Sequence, residues 1–120
     1  MRVFRVEDWE GGGPYMFAGE RPHATGKLEL MPYVHKAPEH PSPQTEGIAT
    51  TYSMENYYCG FESLDKMKVW FKNFETALFE SYMDVTEWEV EKEFIKFGKK
   101  QLIFQKRYAR LITRTSYPTN

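Results

Sequence analysis

Three histidines are the residues of this 120-residue chain whose type first suggests metal chemistry. His23, His35 and His40 lie in a proline-rich region that also carries Glu39 and Glu46, and imidazole and carboxylate groups are common zinc ligands. His35 and His40 are five positions apart, so one helical face cannot present both of them, and the flanking prolines disfavour a helix. We therefore predict loop histidines and no metal site.

Cys59 is the single cysteine of the chain. As a nucleophile it would need a neighbouring base and a lowered pKa. It alternates with aromatic residues in a predicted strand, which favours a packed thiol. One cysteine cannot form an internal disulfide, and this usage is typical of a reducing compartment.

The glycine run at residues 11–13 has the composition of a phosphate-binding loop. Such a loop needs a following helix, or a lysine and a hydroxyl residue at set offsets. Pro14 and Tyr15 follow instead, so we predict a surface turn.

The segment 38–47 carries three prolines, which favour an extended and stiff backbone. A stiff loop loses little entropy on binding and could present His40 or Glu46 to a ligand. The alternative is a rigid connection that covers a sheet edge.

Charge is unevenly distributed although the formal net charge is only −1, which gives no global attraction to nucleic acid. Candidate acidic surface residues are Glu87, Glu89, Glu91 and Glu93, and candidate basic surface residues are Lys99, Lys100, Lys106, Arg107 and Arg110. The acidic stripe could capture a basic partner, and the basic segment could contact nucleic acid. Alternatively, the two segments pair across a hairpin at Gly98 and neutralise each other.

One amphipathic helical stretch follows a predicted N-cap at Ser63, with Asp65 in the first turn where the helix dipole favours negative charge. Apolar residues recur at helical spacing and predict a buried face; they are Leu64, Met67, Phe71, Phe74 and Leu78. Asn73 indicates a break into two shorter helices.

Alternating or apolar runs predict strands over residues 2–7, 52–61, 87–93, 101–105 and 108–113. Residues 16–50 contain five prolines and predict a long loop region, with one short element around 26–33. Residues 115–120 resemble a frayed tail. We therefore predict a single α+β domain over 1–120, with a mostly antiparallel sheet and one or two helices packed on it.

The chain resembles a family of small phage and prophage proteins. The resemblance is carried by segments between about residues 3 and 105, most specifically the stretch from Tyr58 to Leu64, Tyr-Cys-Gly-Phe-Glu-Ser-Leu. It implies an accessory protein that binds and modulates a host protein, for example a CRISPR or restriction system, in the host cytoplasm.

A more distant resemblance is to ADP-ribosyltransferase-like folds, in which Arg5 and Tyr58 would occupy the early-strand and aromatic-strand positions. Gln101 stands where that family has a catalytic glutamate, and a glutamine cannot supply the negative charge that stabilises an oxocarbenium-like centre. This resemblance implies a nucleotide-binding alternative with NAD as ligand, and no cofactor is expected otherwise.

The ligand-binding candidates are Arg5, Tyr15, His40, Tyr58 and Gln101. We expect any pocket to have the strand around Tyr58 as one wall, facing Arg5 and the loop around His40. A host protein is the expected partner, nucleic acid is an alternative, and no apolar stretch has the length of a membrane span.

Overall fold

The computed structural model describes residues 1–14, 39–49 and 56–118. In chain order its regular elements are β1 (Arg2–Glu7), β2 (Tyr58–Gly60), α1 (Leu64–Trp70), α2 (Glu75–Glu80), β3 (Asp84–Glu89), β4 (Ile95–Phe97), β5 (Leu102–Phe104) and β6 (Arg110–Ser116). Short 3₁₀ turns at Lys92–Phe94 and Lys106–Tyr108 precede β4 and β6. This arrangement confirms the predicted α+β fold, a single domain that is mostly antiparallel sheet with two helices. The short element expected around 26–33 lies outside the described residues.

The strands form two three-stranded antiparallel sheets, in the orders β1-β3-β6 and β2-β5-β4. Phe4 and Phe61 exchange a pair of backbone hydrogen bonds, with N···O distances of 2.8 and 2.7 Å. This bridge joins the two sheets where β1 meets the residue that follows β2. The described part of the predicted strand 52–61 is thus β2 and this bridge.

Strand β1 is buried on both of its faces from Val3 onward, with Phe4 half-buried. Successive side chains of a strand point to opposite faces. Val3, Arg5 and Glu7 share one face, and Phe4 and Val6 share the other. The hydrophobic core beside Val6 also contains the buried side chains of both helices, and the core beside Val3 contains Leu102 and Phe104 of β5. The first strand therefore separates the two cores.

The predicted helix cap and the predicted break are both present. The Ser63 hydroxyl accepts a hydrogen bond from the Lys66 backbone N–H at 3.1 Å, which makes Ser63 the N-cap of α1. Asn73 has a φ of 76° and lies between α1 and α2, so it marks the expected break. The apolar face is buried except at Leu64, which is 40% exposed at the start of α1. In the described part of the chain, neither helix is long and apolar enough to cross a membrane.

The turn at Gly98 does not join the acidic and basic segments, so the predicted hairpin is wrong, although the two segments do pair with each other through β3 and β6. The Gly98 N–H donates to the Gln101 carbonyl at 2.8 Å, and this turn connects β4 to β5. Acidic strand β3 pairs instead with β1 and β6. The predicted strand also ends earlier, at Glu89, because the chain turns where the Phe94 N–H donates to the Glu91 carbonyl.

The predicted frayed tail is also wrong as far as the described residues reach. Strand β6 runs to Ser116, opposite Asp84, and the Tyr117 side chain is only 1% exposed. The Tyr117 N–H donates to the Met83 carbonyl at 3.1 Å, and its ring packs edge-on against Phe71. Burial of this aromatic ring fixes the segment that its composition suggested would fray.

Candidate functional site

A pocket of about 430 Å³ opens where β1 and β2 meet the segment 39–49 and the end of α1. Aromatic side chains that line it are Tyr57, Tyr58, Phe61, Trp70 and Phe71. Proline rings from the two adjoining loops add further apolar surface; they are Pro14, Pro41 and Pro43. Volume and lining fall within the range of small-ligand and side-chain pockets.

The structure brings four of the five ligand-binding candidates to this pocket: Arg5, His40, Tyr58 and Gln101 all line it. The β2 strand forms one wall, and Arg5 and the segment around His40 contribute to the lining with it. Tyr15 lies outside the described residues. That these side chains bind a ligand stays a prediction.

Arg5 places a buried guanidinium beside the pocket, but protein groups already engage it. Its Nη1 donates to the Cys59 carbonyl at 2.9 Å, and its Nη2 donates to the Gly11 carbonyl at 3.0 Å. Its Nε lies 3.3 Å from a Glu7 carboxylate oxygen. Burial lowers the pKa of Arg5, and the charge of Glu7 opposes that shift. This side chain thus ties the glycine turn and β2 to β1.

His40 and Gln101 hold the wall that the proline-rich segment forms. His40 Nε2 lies 2.8 Å from the carbonyl oxygen of Trp70, the last residue of α1, and therefore donates to it. The Gln101 side-chain amide donates to the Pro41 carbonyl at 2.6 Å. Among described residues these contacts favour a rigid connection over a ligand-presenting loop.

Glu46 lies in the same segment, outside the pocket lining, and is turned toward the β4–β5 hairpin. Its carboxylate accepts a hydrogen bond from the Lys100 backbone N–H at 2.7 Å, and the Lys100 ammonium donates to the Glu39 carbonyl at 3.1 Å. A Cβ added at Gly98 would lie 2.6 Å from Glu46 Oε2, so glycine permits this close approach. The turn at Gly98 therefore holds the segment 39–49 in place through these contacts.

Cys59 lines the pocket as a free, half-buried thiol. Burial raises the pKa of this thiol, while the nearby Arg5 charge acts to lower it. A thiol with a raised pKa is a poor nucleophile near neutral pH, in agreement with the packed thiol that the sequence suggested.

Glu7 contacts Arg5 beside the pocket, but it was not predicted to be a residue of the site. Its side chain is fully buried, and three cations surround it: Arg5, Lys106 and Arg114. Its Oε1 also accepts a hydrogen bond from the Thr86 hydroxyl at 3.2 Å. The available signal was the two-residue spacing from Arg5, which places both side chains on one face of a strand.

Tyr58 lies close to this ionic cluster. The Arg5 guanidinium carbon and the Lys106 ammonium each lie 4.7 Å from the centre of its ring, and both contacts are in cation–π range. The ring thereby links the charged cluster to the apolar pocket.

The acidic candidates divide into two pairs. Glu87 forms an ion pair with Arg2, and Glu89 lies 3.4 Å from Arg2 Nε. Glu91 and Glu93 lie beyond β3, with exposed side chains. The four carboxylates therefore do not continue along one strand.

The basic candidates also point in different directions. Lys106 faces Glu7, Tyr58 and Trp88, whereas Arg107 lies 4.8 Å from the ring centre of Tyr108. Lys99 and Lys100 lie at the β4–β5 turn, and Arg110 starts β6 opposite Glu89. Nucleic-acid binding by these residues stays a prediction.

Comparison with known proteins gives one result. Neither curated proteins nor solved structures provide a match, so neither supports the resemblance to ADP-ribosyltransferase-like folds. The model of one phage protein family, by contrast, matches residues 1–118. The chain therefore belongs to the family described as the bacteriophage T4 Y00F protein.

Proposed function

We propose that this member of a phage protein family acts by binding a host protein, and that the pocket at β1 and β2 receives an aromatic or aliphatic side chain of that partner. The observation that carries the proposal is the lining itself. Aromatic and proline residues make up more than half of the residues that line it, and such concave sites are where anchor residues of protein interfaces insert. Host defence machinery is the class of partner that we propose.

The hydrogen bonds around the pocket support an apolar occupant. Both Nη atoms of Arg5 donate to backbone carbonyls, and the Gln101 amide donates to Pro41. A polar ligand would have to displace these contacts and leave buried groups unpaired, which is costly. An apolar side chain would need no such displacement.

The same contacts argue against the nucleotide alternative. A diphosphate would need the Arg5 guanidinium, which already faces the buried Glu7 carboxylate at 3.3 Å. Bringing a second anion there would add repulsion to the loss of the two carbonyl contacts. An NAD-like ligand is therefore the second candidate and is tested beside the first.

Direct binding to the pocket is tested with small probes. We expect indole and p-cresol at millimolar concentration to shift the backbone amide resonances of Tyr58 and Cys59 and to slow alkylation of Cys59, and NAD to do neither. Gly13→Leu should abolish the response to indole, because a Cβ at Gly13 meets only ordinary contacts at 3.6 and 4.0 Å and the larger side chain would enter the pocket. A response to NAD with none to indole would overturn the proposal in favour of the nucleotide alternative.

The host partner is tested by capture from a bacterial host lysate. The wild-type protein should retain a defined host protein, Gly13→Leu should lose it, and the exposed-site control Glu93→Ala should retain it. A melting curve for Gly13→Leu shows whether the variant is folded. Equal retention by Gly13→Leu and the wild type would contradict the role of the pocket, and no retention by the wild type would contradict the proposed function.

A further inference from the structure

Trp9 is an aromatic side chain that the hydrophobic cores leave in solvent. It is 66% exposed, whereas the other two tryptophans, Trp70 and Trp88, are each 7% exposed. In the part of the chain that the structure describes, the indole of Trp9 has no ring contact and no hydrogen bond. Because tryptophan is enriched among the anchor residues of protein interfaces, an indole left in this state is a candidate anchor.

The turn that carries Trp9 is fixed by its own hydrogen bonds. The Asp8 carboxylate accepts from the backbone N–H groups of Glu10 and Gly12, at 2.9 and 2.8 Å. The Gly11 N–H donates to the Asp8 carbonyl at 3.0 Å, and the Asp8 N–H donates to the Gly12 carbonyl at 2.8 Å. A turn held in this way loses little conformational entropy when its exposed side chain inserts into a second molecule.

The pocket at β1 and β2 has polar groups that suit an indole. Gln101 Nε2 donates to the Pro41 carbonyl, but no described group donates to the side-chain oxygen of Gln101. The Tyr58 hydroxyl likewise has no hydrogen-bond partner among the described residues. An indole N–H is a donor only, so either oxygen can accept from it within this cavity of about 430 Å³. A tryptophan therefore fits the lining better than a purely aliphatic side chain.

The charges beside the anchor and beside the pocket are complementary. Glu10 follows Trp9 directly, its side chain is exposed, and no described cation pairs with it. The Lys96 ammonium lies 5.0 Å from the ring centre of Tyr57, which lines the pocket, and no described carboxylate pairs with that ammonium. The opposite wall begins at the exposed Glu39, which repels Glu10. An inserted Trp9 is therefore oriented with Glu10 toward Lys96.

The turn that carries Trp9 and the pocket are neighbours on the surface. Gly13 and Pro14 follow the turn in the sequence, and both line the pocket. When an anchor and its pocket lie side by side, two copies can exchange anchors about a two-fold axis, and this arrangement closes after two molecules. Each indole then lies in the pocket of the other copy.

We infer that a second copy of this chain occupies the pocket, with Trp9 as the anchor and an ion pair between Glu10 and Lys96 at the rim of each site. The inference rests on the proposed function, because it concerns the same pocket, and it adds regulation: a host protein must displace Trp9 in order to bind. Two indole side chains bury roughly 300 to 500 Å². A stable interface buries at least about 1,200 Å², so this self-complex is weak and can be displaced.

Self-association is tested by sedimentation velocity and by acrylamide quenching of tryptophan fluorescence. The protein concentration is varied from about 10 μM to about 1 mM, the range in which a weak complex forms. The wild type should convert from monomer to dimer, and quenching should decrease as Trp9 becomes buried. Trp9→Ala should stay monomeric, whereas the control Phe79→Ala, which removes another exposed aromatic side chain, should dimerise like the wild type. A monomeric wild type, or equal dimerisation by Trp9→Ala, would overturn the inference.

A charge exchange tests the ion pair at the rim. Glu10→Lys and Lys96→Glu should each weaken dimerisation at least about fivefold, because each places like charges together at both sites of the dimer. An equimolar mixture of the two variants should recover wild-type dimerisation, because both contacts of the mixed dimer again join opposite charges. The control Lys99→Glu reverses an exposed charge outside the pocket lining and should have no effect. A mixture as weak as the single variants would rule out this pairing.

The self-complex and the proposed function can fail separately. Indole at millimolar concentration should dissociate the wild-type dimer, and Trp9→Ala should keep the response of Tyr58 and Cys59 to indole. A wild type that responds to indole but never dimerises would overturn the self-complex and leave the proposed function standing. Dimerisation that depends on Trp9 but is unchanged by indole and by Gly13→Leu would place the indole elsewhere than in the pocket, and the inference would be wrong.

Discussion

The carboxylate of Glu7, at the end of the first strand, lies 3.0 Å from Nη2 of Arg114 in the last strand. The Arg114 Nη1 also donates to Asp84 in β3 at 2.9 Å, so one guanidinium of β6 contacts both of the other strands of the sheet. Burial acts to lower the pKa of Arg114, but the hydrogen bonds that it donates to Asp84 and Glu7, with their negative charges, together raise it. The cluster around Glu7 therefore holds the first sheet together through charge as well as through backbone pairing.

Replacing this buried carboxylate should strongly destabilise the fold. In Glu7→Gln the cations Arg5, Lys106 and Arg114 lose their shared partner, and we expect the free energy of unfolding to fall by about 3 kcal/mol or more. Urea unfolding followed by tryptophan fluorescence measures the change. The control Glu93→Gln, at an exposed site, should stay within about 0.5 kcal/mol of wild type. A Glu7→Gln protein as stable as this control would contradict the structural role of the cluster.

Removing the hydroxyl of Tyr117 should leave stability unchanged or increase it. The side chain is buried, and its hydroxyl has no hydrogen-bond partner among the described residues. Because an unpaired buried hydroxyl costs free energy, Tyr117→Phe should keep the free energy of unfolding within about 1 kcal/mol of wild type or raise it. Urea unfolding at neutral pH measures this, and a loss of more than about 2 kcal/mol would mean that the hydroxyl has an essential partner.

The same residue should make stability depend on alkaline pH. Burial, with a contribution from the nearby Glu75 charge, raises the pKa of Tyr117 from 10.0 to about 12. Between these values the unfolded chain releases the proton and the folded chain keeps it, so stability is complete below pH 10 and falls as pH rises toward 12. The loss should total roughly 2 to 3 kcal/mol in wild type. Over the same pH range, the free energy of unfolding of Tyr117→Phe should fall by roughly 2 to 3 kcal/mol less than that of wild type. Identical pH profiles for the two proteins would contradict the raised pKa of Tyr117.

Two glycines should respond differently to the same substitution. A Cβ at Gly60 would lie 2.8 Å from Val3 Cγ1 and 3.0 Å from the Phe4 carbonyl oxygen, whereas a Cβ at Gly13 meets nothing closer than 3.6 Å. Gly60→Ala should therefore cost about 1 to 3 kcal/mol of stability through overpacking. Gly13→Ala should cost less than about 0.5 kcal/mol. Thermal unfolding of the pair measures the difference, and equal melting temperatures would contradict the close approach of β2 to β1.

The helix cap at Ser63 should contribute measurably. Ser63→Ala removes the acceptor for the Lys66 N–H and should cost about 1 kcal/mol. Ser63→Asp restores an acceptor and should stay close to wild type. Urea unfolding compares the two variants, and equal losses would mean that the hydroxyl itself packs against a specific neighbour.

Cys59 should react slowly with alkylating reagents in the folded protein. Because burial raises the pKa of the thiol above its ordinary value of 9.0, little thiolate forms near neutral pH. The rate of reaction with iodoacetamide is measured as a function of pH. The pH at which this rate begins to rise should be higher for the folded protein than for the protein in urea. Coincident profiles would contradict the shift.

Local sequence patterns predicted the helices and strands better than they predicted which strands pair with each other. The Ser63 cap and the Asn73 break depend on residues close in sequence, and both were found where expected. The pairing of β3 with β1 and β6 depends on residues far apart, and an acidic strand beside a glycine turn suggested the wrong hairpin. A period-two pattern indicates which side chains share a face but does not identify the neighbouring strand.

The candidate pocket illustrates the same limit. The sequence predicts Arg5, His40, Tyr58 and Gln101 as ligand-binding residues, and all four line the pocket. The hydrogen bonds of Arg5, His40 and Gln101 to backbone carbonyls were not predicted, because most of those carbonyls belong to segments distant in sequence. Glu7 was missed since a carboxylate at a strand end ordinarily faces water, and only the convergence of three cations explains its burial.

The central position of β3 also has a consequence for how the chain folds during synthesis. Strand β1 leaves the ribosome first, but Val6 pairs with Val85 and Arg5 with Thr86, and β6 follows later still. Pairing between such distant segments is slow because the long intervening chain must first close. The apolar residues of β1 therefore have no strand partner until β3 has been synthesised. We expect nascent chains that stop before β3 to depend on chaperones.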